Sequence, residues 1–382
     1  MKLRSIEGFL VGFSPSPALG NASTFIRRRD FLLLRLTAED GSTGWGEVAN
    51  GPFAASGHAR AKLPPLLLGQ DVTQPGRLFH AMLGTLGYDR RGSAMMAVSA
   101  ADMALHDLAA RAQGISVARL LGGALRDRLP AYASGPFIAE GGDPYGAYPA
   151  QVDDLLRRNF RAIKPRVGAH PRKDGTVMRA MRKQAGDDVA LMVDINQGYT
   201  VGAALESIRH MEEADLLWVE EPLQPEDIAG CRSVAHSARC AIAGGEALGS
   251  LAAFRDVLAA GCYAVLQPDL CVCGGFSGFR RVAALADAFD VPAMPHVFGT
   301  LVNAHAAIQM GALLTTRRGG GPMPYPFMEV DVTPNPLLTL LGSMDPRADG
   351  TVAVPDAPGL GFDLAPERLA PWLVEQWRVE AG

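Results

Sequence analysis

Apolar and polar residues alternate through the opening MKLRSIEGFLVGF, the period of a strand with one face buried. The stretch FLLLRLTAEDGSTGWGEV does so twice around Asp40-Gly41, a dipeptide that favours a tight hairpin turn. A small antiparallel sheet is therefore expected first. Between these pieces SPSPALGNASTFIRRRD, with its Pro, Ser and small residues, predicts a loop. Helical periods follow over residues 55–68, 74–84 and 94–113, and the last is apolar on most faces, which predicts a buried helix.

From Leu129 the pattern changes to short apolar runs, each followed by an amphipathic stretch. Strands are expected at 131–134, 162–166, 190–196, 216–220, 241–246, 264–269, 292–296 and 326–330, eight in all. Helices such as GFSGFRRVAALADAF and GTLVNAHAAIQMGALL separate them. This β-α alternation predicts an α/β chain whose strands form a (β/α)8-type TIM barrel. An open doubly wound sheet would carry a Gly-rich dinucleotide turn early, and none is present. The expected division is an N-terminal α+β domain over 1–125, the barrel over 126–335, and a Pro- and Gly-rich tail over 336–382. The tail ends in the amphipathic PERLAPWLVEQWRVE and is expected to pack back on the first domain.

A chain of 382 residues, 48% hydrophobic, can bury a large core. Its net charge of −4 is mild and dispersed, which argues against nucleic acid or an anionic membrane as partner and leaves small molecules. No apolar run approaches the roughly 20 residues of a membrane span, and a cytoplasmic location is expected. The five cysteines are odd in number and confined to 231–273, which suits reduced thiols. Cys271 and Cys273 lack further soft ligands at metal spacing and are expected to be packing residues.

Three consecutive β-α units drive an apolar run into an acid: LMVDIN to Asp194, LLWVEEP to Glu220 and AIAGGE to Glu246. A carboxylate at a buried strand end is costly unless a cation meets it, and successive barrel strands converge on one rim. The trio thus asks for a shared ion. Oxygen ligands with no Cys or His among them point to Mg²⁺ or Mn²⁺. Other strand ends carry Lys164 and Arg166 in AIKPRVG, Asp269 in VLQPD, His296 in VPAMPH and Glu329 in YPFMEV. Side chains two apart share a strand face, so Lys164 lies with Arg166 and Asp194 with Asn196. Asp102 and His106, four apart on a helix, suggest a buried hydrogen bond more than a ligand pair. Arg27 to Arg29 serve either an anionic substrate or a solvated strand start.

The ordered set K-x-R, D-x-N, VEEP, GGE, QPD, PH and a last-strand Glu, behind an N-terminal domain, resembles the enolase superfamily and its mandelate racemase subgroup. The resemblance spans essentially the whole chain. It implies a capping first domain and a Mg²⁺ ion on Asp194, Glu220 and Glu246, with abstraction of the proton α to a substrate carboxylate. It implies Lys164 as base on one side, its pKa lowered by Arg166 and the ion, and His296 with Asp269 as acid/base dyad on the other. Glu329 would be protonated to hydrogen-bond the enediolate, Asn196 would bond an α-hydroxyl, and Glu221 would support the ligands. Where many relatives carry a second lysine this chain has Arg166, left to grip a substrate carboxylate. Arg166 and the polar loop favour an acid-sugar dehydratase acting on an aldarate or aldonate. A racemase or epimerase of a 2-hydroxy acid is the alternative, and a non-catalytic barrel a remote third. A homo-oligomer, dimer or octamer, is expected by resemblance alone.

Overall fold

The computed structural model describes residues 1–319, 321 and 323–382. Its first sheet is built around the hairpin of Arg29–Ala38 and Thr43–Val48. Asp40 accepts the Ser42 N–H at 3.0 Å and Gly41 takes φ 87°, so the turn closes where the sequence placed it. Leu3–Phe13 pairs antiparallel with Arg29–Ala38, and the C-terminal strand Leu373–Glu380 returns to cover the other edge of Leu3–Phe13. The amphipathic tail is thus a 3₁₀ segment, Pro366–Trp372, and then a strand. Trp377 secures it: the indole lies over Gly8, where an added Cβ would sit 2.3 Å from the ring, and Nε1 donates to Ser56 Oγ at 2.7 Å.

The helix Ser93–Ala112 lies against this sheet and is buried along most of its length. It approaches so closely because Thr43–Val48 offers Gly44 and Gly46; a Cβ on Gly46 would be 1.8 Å from the carbonyl oxygen of Ala100. The helix expected over 55–68 divides into Pro52–Lys62 and Pro64–Leu67. Pro64 has no N–H to continue the hydrogen-bond ladder.

The barrel wall runs through the parallel strands Arg128–Ser134, Ala162–Lys164, Ala190–Asp194, Leu216–Glu220, Ala241–Gly244 and Val265–Leu266, and Met328–Asp331 pairs back onto Arg128–Ser134. Seven of the eight expected strands form ladders. The segment 292–296 contributes only a bridge between Ala293 and Leu266, because Pro292 and Pro295 remove the donors a ladder needs. Proline also ends Ala162–Lys164 early, and Arg166 meets Asp194 through an isolated bridge. The barrel floor is packed by Tyr132, Met192, Trp218, Met294 and Phe327, with Tyr132, Trp218 and Phe327 in edge-on ring contacts. Among the described residues no helix is long and apolar enough to cross a membrane.

Candidate active site

Asp194 and Glu220 end two neighbouring strands, Glu246 follows two residues after the next, Ala241–Gly244, and one carboxylate oxygen from each falls within 4.8 Å of the others. Asp194 and Glu220 are buried, while the Glu246 side chain keeps 22% exposure. Burial pushes the Glu220 carboxyl up to about 7 even though Lys164 opposes the rise, and Asp194, Glu329 and Glu246 add to it. Glu246 is raised as well, first by burial. Crowded anions of this kind suit a hard divalent cation, and the cluster fits Mg²⁺.

The trio is braced from behind. Trp218 Nε1 and Gln267 Nε2 donate to Glu220 Oε2 at 3.1 and 2.7 Å, and Asn196 gives its backbone N–H and Nδ2 to Asp194 at 2.7 and 2.9 Å. The strand has ended by Asn196, which sits at φ 45° and curls back over Asp194. Its amide therefore holds a ligand carboxylate, where the sequence suggested a contact to substrate. Glu221, also left-handed at φ 40°, is buried, accepts Gln197 Nε2 at 2.7 Å and is held well above the usual carboxylate range by burial and then by Glu246.

Lys164 is fully buried at the Asp194 and Glu220 end of the cluster. Its Nζ contacts Glu220 directly, with Glu329 at 3.0 Å and Asp194 at 3.9 Å. With no ion on the trio its pKa is raised: burial and Arg166 lower it, but Glu220, Glu329 and Asp194 outweigh them. Arg166 stacks 4.9 Å from the centre of the Phe137 ring, donates to Ser134 Oγ at 3.1 Å and lies 3.2 Å from Asp194. The Asp194 contact is an ion pair from Nη1, so the guanidinium is a second buried cation beside the trio.

At the Glu246 end, His296 Nδ1 meets Asp269 Oδ2 at 2.8 Å and Nε2 lies 3.3 Å from Glu246. Burial lowers the imidazole pKa, but Glu246, Glu329 and Asp269 together carry it well above the ordinary value. Asp269 is itself anchored by the Cys271 N–H at 2.6 Å. Glu329 lies between the two ends, 4.0 Å from His296 Nε2, and accepts the Val297 N–H at 2.9 Å. Burial raises its carboxyl, yet Lys164, His296 and Arg166 win and hold it far below the usual range, so the expected neutral acid is an anion among these charges.

Other candidates are structural. Arg29 is buried on Asp331 at 2.6 Å, Arg28 pairs with Asp30, and Arg27 pairs with Glu140 at the surface. His106 Nδ1 lies 2.8 Å from the Asp102 carbonyl oxygen, and Asp102 accepts the Ser277 N–H at 2.9 Å. All five thiols are free, and burial pushes those of Cys271 and Cys273 well up. The sequence reading passed over Trp218 and Gln267, although each stands two positions before a site acid. It also passed over Asp174, which accepts the hydroxyls of Tyr145, Tyr199 and Ser207 and the Gly168 N–H, and so ties down the loops beyond Arg166 and Asn196.

Residues 14–122 match the mandelate racemase/muconate lactonizing enzyme N-terminal domain, and residues 147–368 match the enolase C-terminal domain-like family. The chain belongs to the enolase superfamily. Within it, the chain is 32% identical over 371 residues to D-galactarolactone cycloisomerase of Agrobacterium fabrum, spanning 97% of this chain and 98% of that protein. The crystal structure of the 3,6-anhydro-D-galactonate cycloisomerase from Zobellia galactanivorans superposes with a TM-score of 0.88 at 28% identity, spanning 98% and 100% of the two chains. L-Talarate dehydratase from Polaromonas sp. JS666, complexed with Mg and L-glucarate, superposes at 0.85 with 26% identity over 100% of each chain. The superfamily fold, a capping domain over a parallel-strand barrel, is the one described above.

Proposed function

We propose that this enolase-superfamily chain eliminates a β-oxygen from an acid sugar, beginning with removal of the proton α to its carboxylate. One observation carries the reading: a carboxylate trio fitted to a divalent cation lies between a buried Lys164 and an Asp269-held His296. A divalent ion on Asp194, Glu220 and Glu246 would neutralise charge gathering on the substrate carboxylate as the α-proton leaves. Arg166, a buried cation already paired with Asp194, orients an anionic oxygen of the substrate. His296, its Nδ1 fixed by Asp269, moves a proton at Nε2. Lys164 serves the opposite end as base or as fixed cation.

Which oxygen leaves separates two readings. The cycloisomerases among the relatives favour the ring oxygen of a lactone or anhydro acid sugar, so that ring opening replaces loss of water. Dehydration of an open-chain aldarate or aldonate, the expectation from sequence, is the second reading and is supported by the dehydratases of the same family. The test incubates Mg²⁺-loaded protein in D₂O with D-galactarolactone, 3,6-anhydrogalactonate, galactarate, D-galactonate and L-talarate. Mass spectrometry then separates an isomer of unchanged formula from a product lacking one water. Epimer without keto acid would replace elimination by racemisation. Wild-type protein that leaves every α-proton unexchanged overturns the proposal.

A further inference from the structure

The segment that carries His296 is held at every residue by a group from elsewhere. His296 N–H reaches the Pro268 carbonyl at 3.1 Å, and Val297 N–H reaches Glu329. Arg29 Nη2 donates to the Phe298 carbonyl at 3.0 Å while its guanidinium lies 3.8 Å from the centre of the Phe298 ring. Asn335 Nδ2 donates to the Gly299 carbonyl at 2.8 Å. The last holder is Glu47, from the first domain's hairpin. It accepts the Thr300 N–H at 2.8 Å, the Thr300 hydroxyl at 2.6 Å and the Asn303 N–H at 2.9 Å.

These three bonds make Glu47 a cap for the helix Leu301–Gly311, contributed by a strand 253 residues away in sequence. The fit is tight: a Cβ on Gly299 would come 2.4 Å from Glu47 Oε1, so the loop closes on the carboxylate with no room for a side chain. Burial pushes the Glu47 carboxyl up to about 7 against the hydrogen bonds that lower it, and the charge of Asp269 adds to the rise. A surface salt bridge or a Ser cap would hold the helix without burying this acid near the dyad.

We propose that Glu47, assisted by Arg29, is a positioning residue: through the 297–300 loop it sets where His296 carries its imidazole, so the capping sheet as well as the barrel places the proton carrier. The proposal rests on the reading of His296 as that carrier. It gives the first domain a task besides covering the site, since its two buried charges grip the same loop from opposite ends. Arg29 takes the Phe298 carbonyl near the start and Glu47 takes the helix N-terminus at the close.

The test labels histidine Cε1 with ¹³C in the Mg²⁺-loaded protein, assigns the His296 signal among eight histidines by its loss in His296→Asn, and compares Glu47→Gln at one pH. The substituted side chain would turn an amide N–H₂ toward one of the two backbone N–H groups, Thr300 or Asn303, that the carboxylate now accepts. The expected result is a His296 signal displaced by more than its line width with the other signals in place. On a panel compound the wild type turns over, kcat should fall about 10- to 100-fold, with KM within about twofold, as for a misplaced catalytic group. Thr300→Val, which removes the hydroxyl bond to Glu47 and the Val302 N–H bond to that hydroxyl but keeps both backbone bonds to Glu47, should give a smaller displacement and serves if Glu47→Gln does not fold. An unmoved His296 signal in the folded variants overturns the proposal. Failure of wild type on the whole panel overturns the proposed function instead, because the spectrum needs no substrate.

Discussion

Removing and restoring Mg²⁺ should move the unfolding temperature by an amount fixed by chain length and ligand saturation. The apo trio holds its acids within 4.8 Å, with Glu220 pushed up to about 7, and an ion that binds only the folded state stabilises by mass action. At a free concentration about 100 times Kd the gain is about 2.7 kcal/mol, and at about 1,000 times it is about 4.1 kcal/mol. A chain of 382 residues unfolds with an entropy of about 0.8 kcal/mol/K, so these gains read as rises of about 3 and about 5 °C. The assay is calorimetry or dye-monitored melting of chelator-stripped protein titrated with Mg²⁺ and then Mn²⁺. The control is Glu246→Gln, since Glu246 has no lysine partner, whereas Glu220→Gln would also strip Lys164 of its counter-charge. In Glu246→Gln the rise should shrink to about 1 °C or less at the same Mg²⁺ concentration, as the site loses an anionic ligand. A wild-type melt indifferent to both ions would refute the cation site. A full rise in Glu246→Gln would place the ion elsewhere.

Four further outcomes follow from the same contacts. His296→Asn should abolish turnover and leave the Mg²⁺-dependent rise in melting temperature intact, because the imidazole is no part of the carboxylate trio; retained activity removes the dyad from the reaction. Mg²⁺ affinity, followed by calorimetry, should weaken as pH falls below about 7: the raised Glu220 carboxyl takes up a proton that must leave before the ion binds, up to about tenfold per pH unit for each proton released. A flat profile between about pH 6 and 8 would contradict it. Lys164→Met should cost about 3–5 kcal/mol in denaturant unfolding, because Glu220 and Glu329 are left buried and unpaired; a neutral result would mean the site relaxes around them. Gly46→Ala should lose about 1–3 kcal/mol or fail to fold, since its Cβ meets the Ala100 backbone, which cannot swing aside.

What could be read from the chain, and what could not, follows from how far each feature reaches. Period and punctuation are local, so the hairpin at Asp40-Gly41, the strand-then-acid beats at Asp194, Glu220 and Glu246, and the return of the tail were visible. The missing ladder at 292–296 was visible too, in Pro292 and Pro295, but the apolar beat outweighed them. The bonds from Asn196 to Asp194 were not visible, because they depend on a left-handed turn past the strand's end, where strand alternation no longer holds. Lys164 and Glu329 were less legible for another reason. Their charge states depend on distances of about 3–4 Å between groups far apart in sequence, and no spacing encodes those. Lys164 was expected to have its pKa lowered by Arg166 and the ion, and Glu329 to be protonated by burial and nearby anions, yet the two sit 3.0 Å apart and, with no ion on the trio, each stabilises the other's charge. For Lys164 to act as base, that pairing must weaken. The chain supplies a route, since the other anions on Lys164, Glu220 in direct contact and Asp194 at 3.9 Å, both belong to the trio. Once the charge of Glu220 is shared with a cation, the ammonium loses its strongest reason to stay protonated. The share of Lys164 free to accept a proton should therefore grow with occupancy of the trio, whereas Asp269 holds His296 ready in either state.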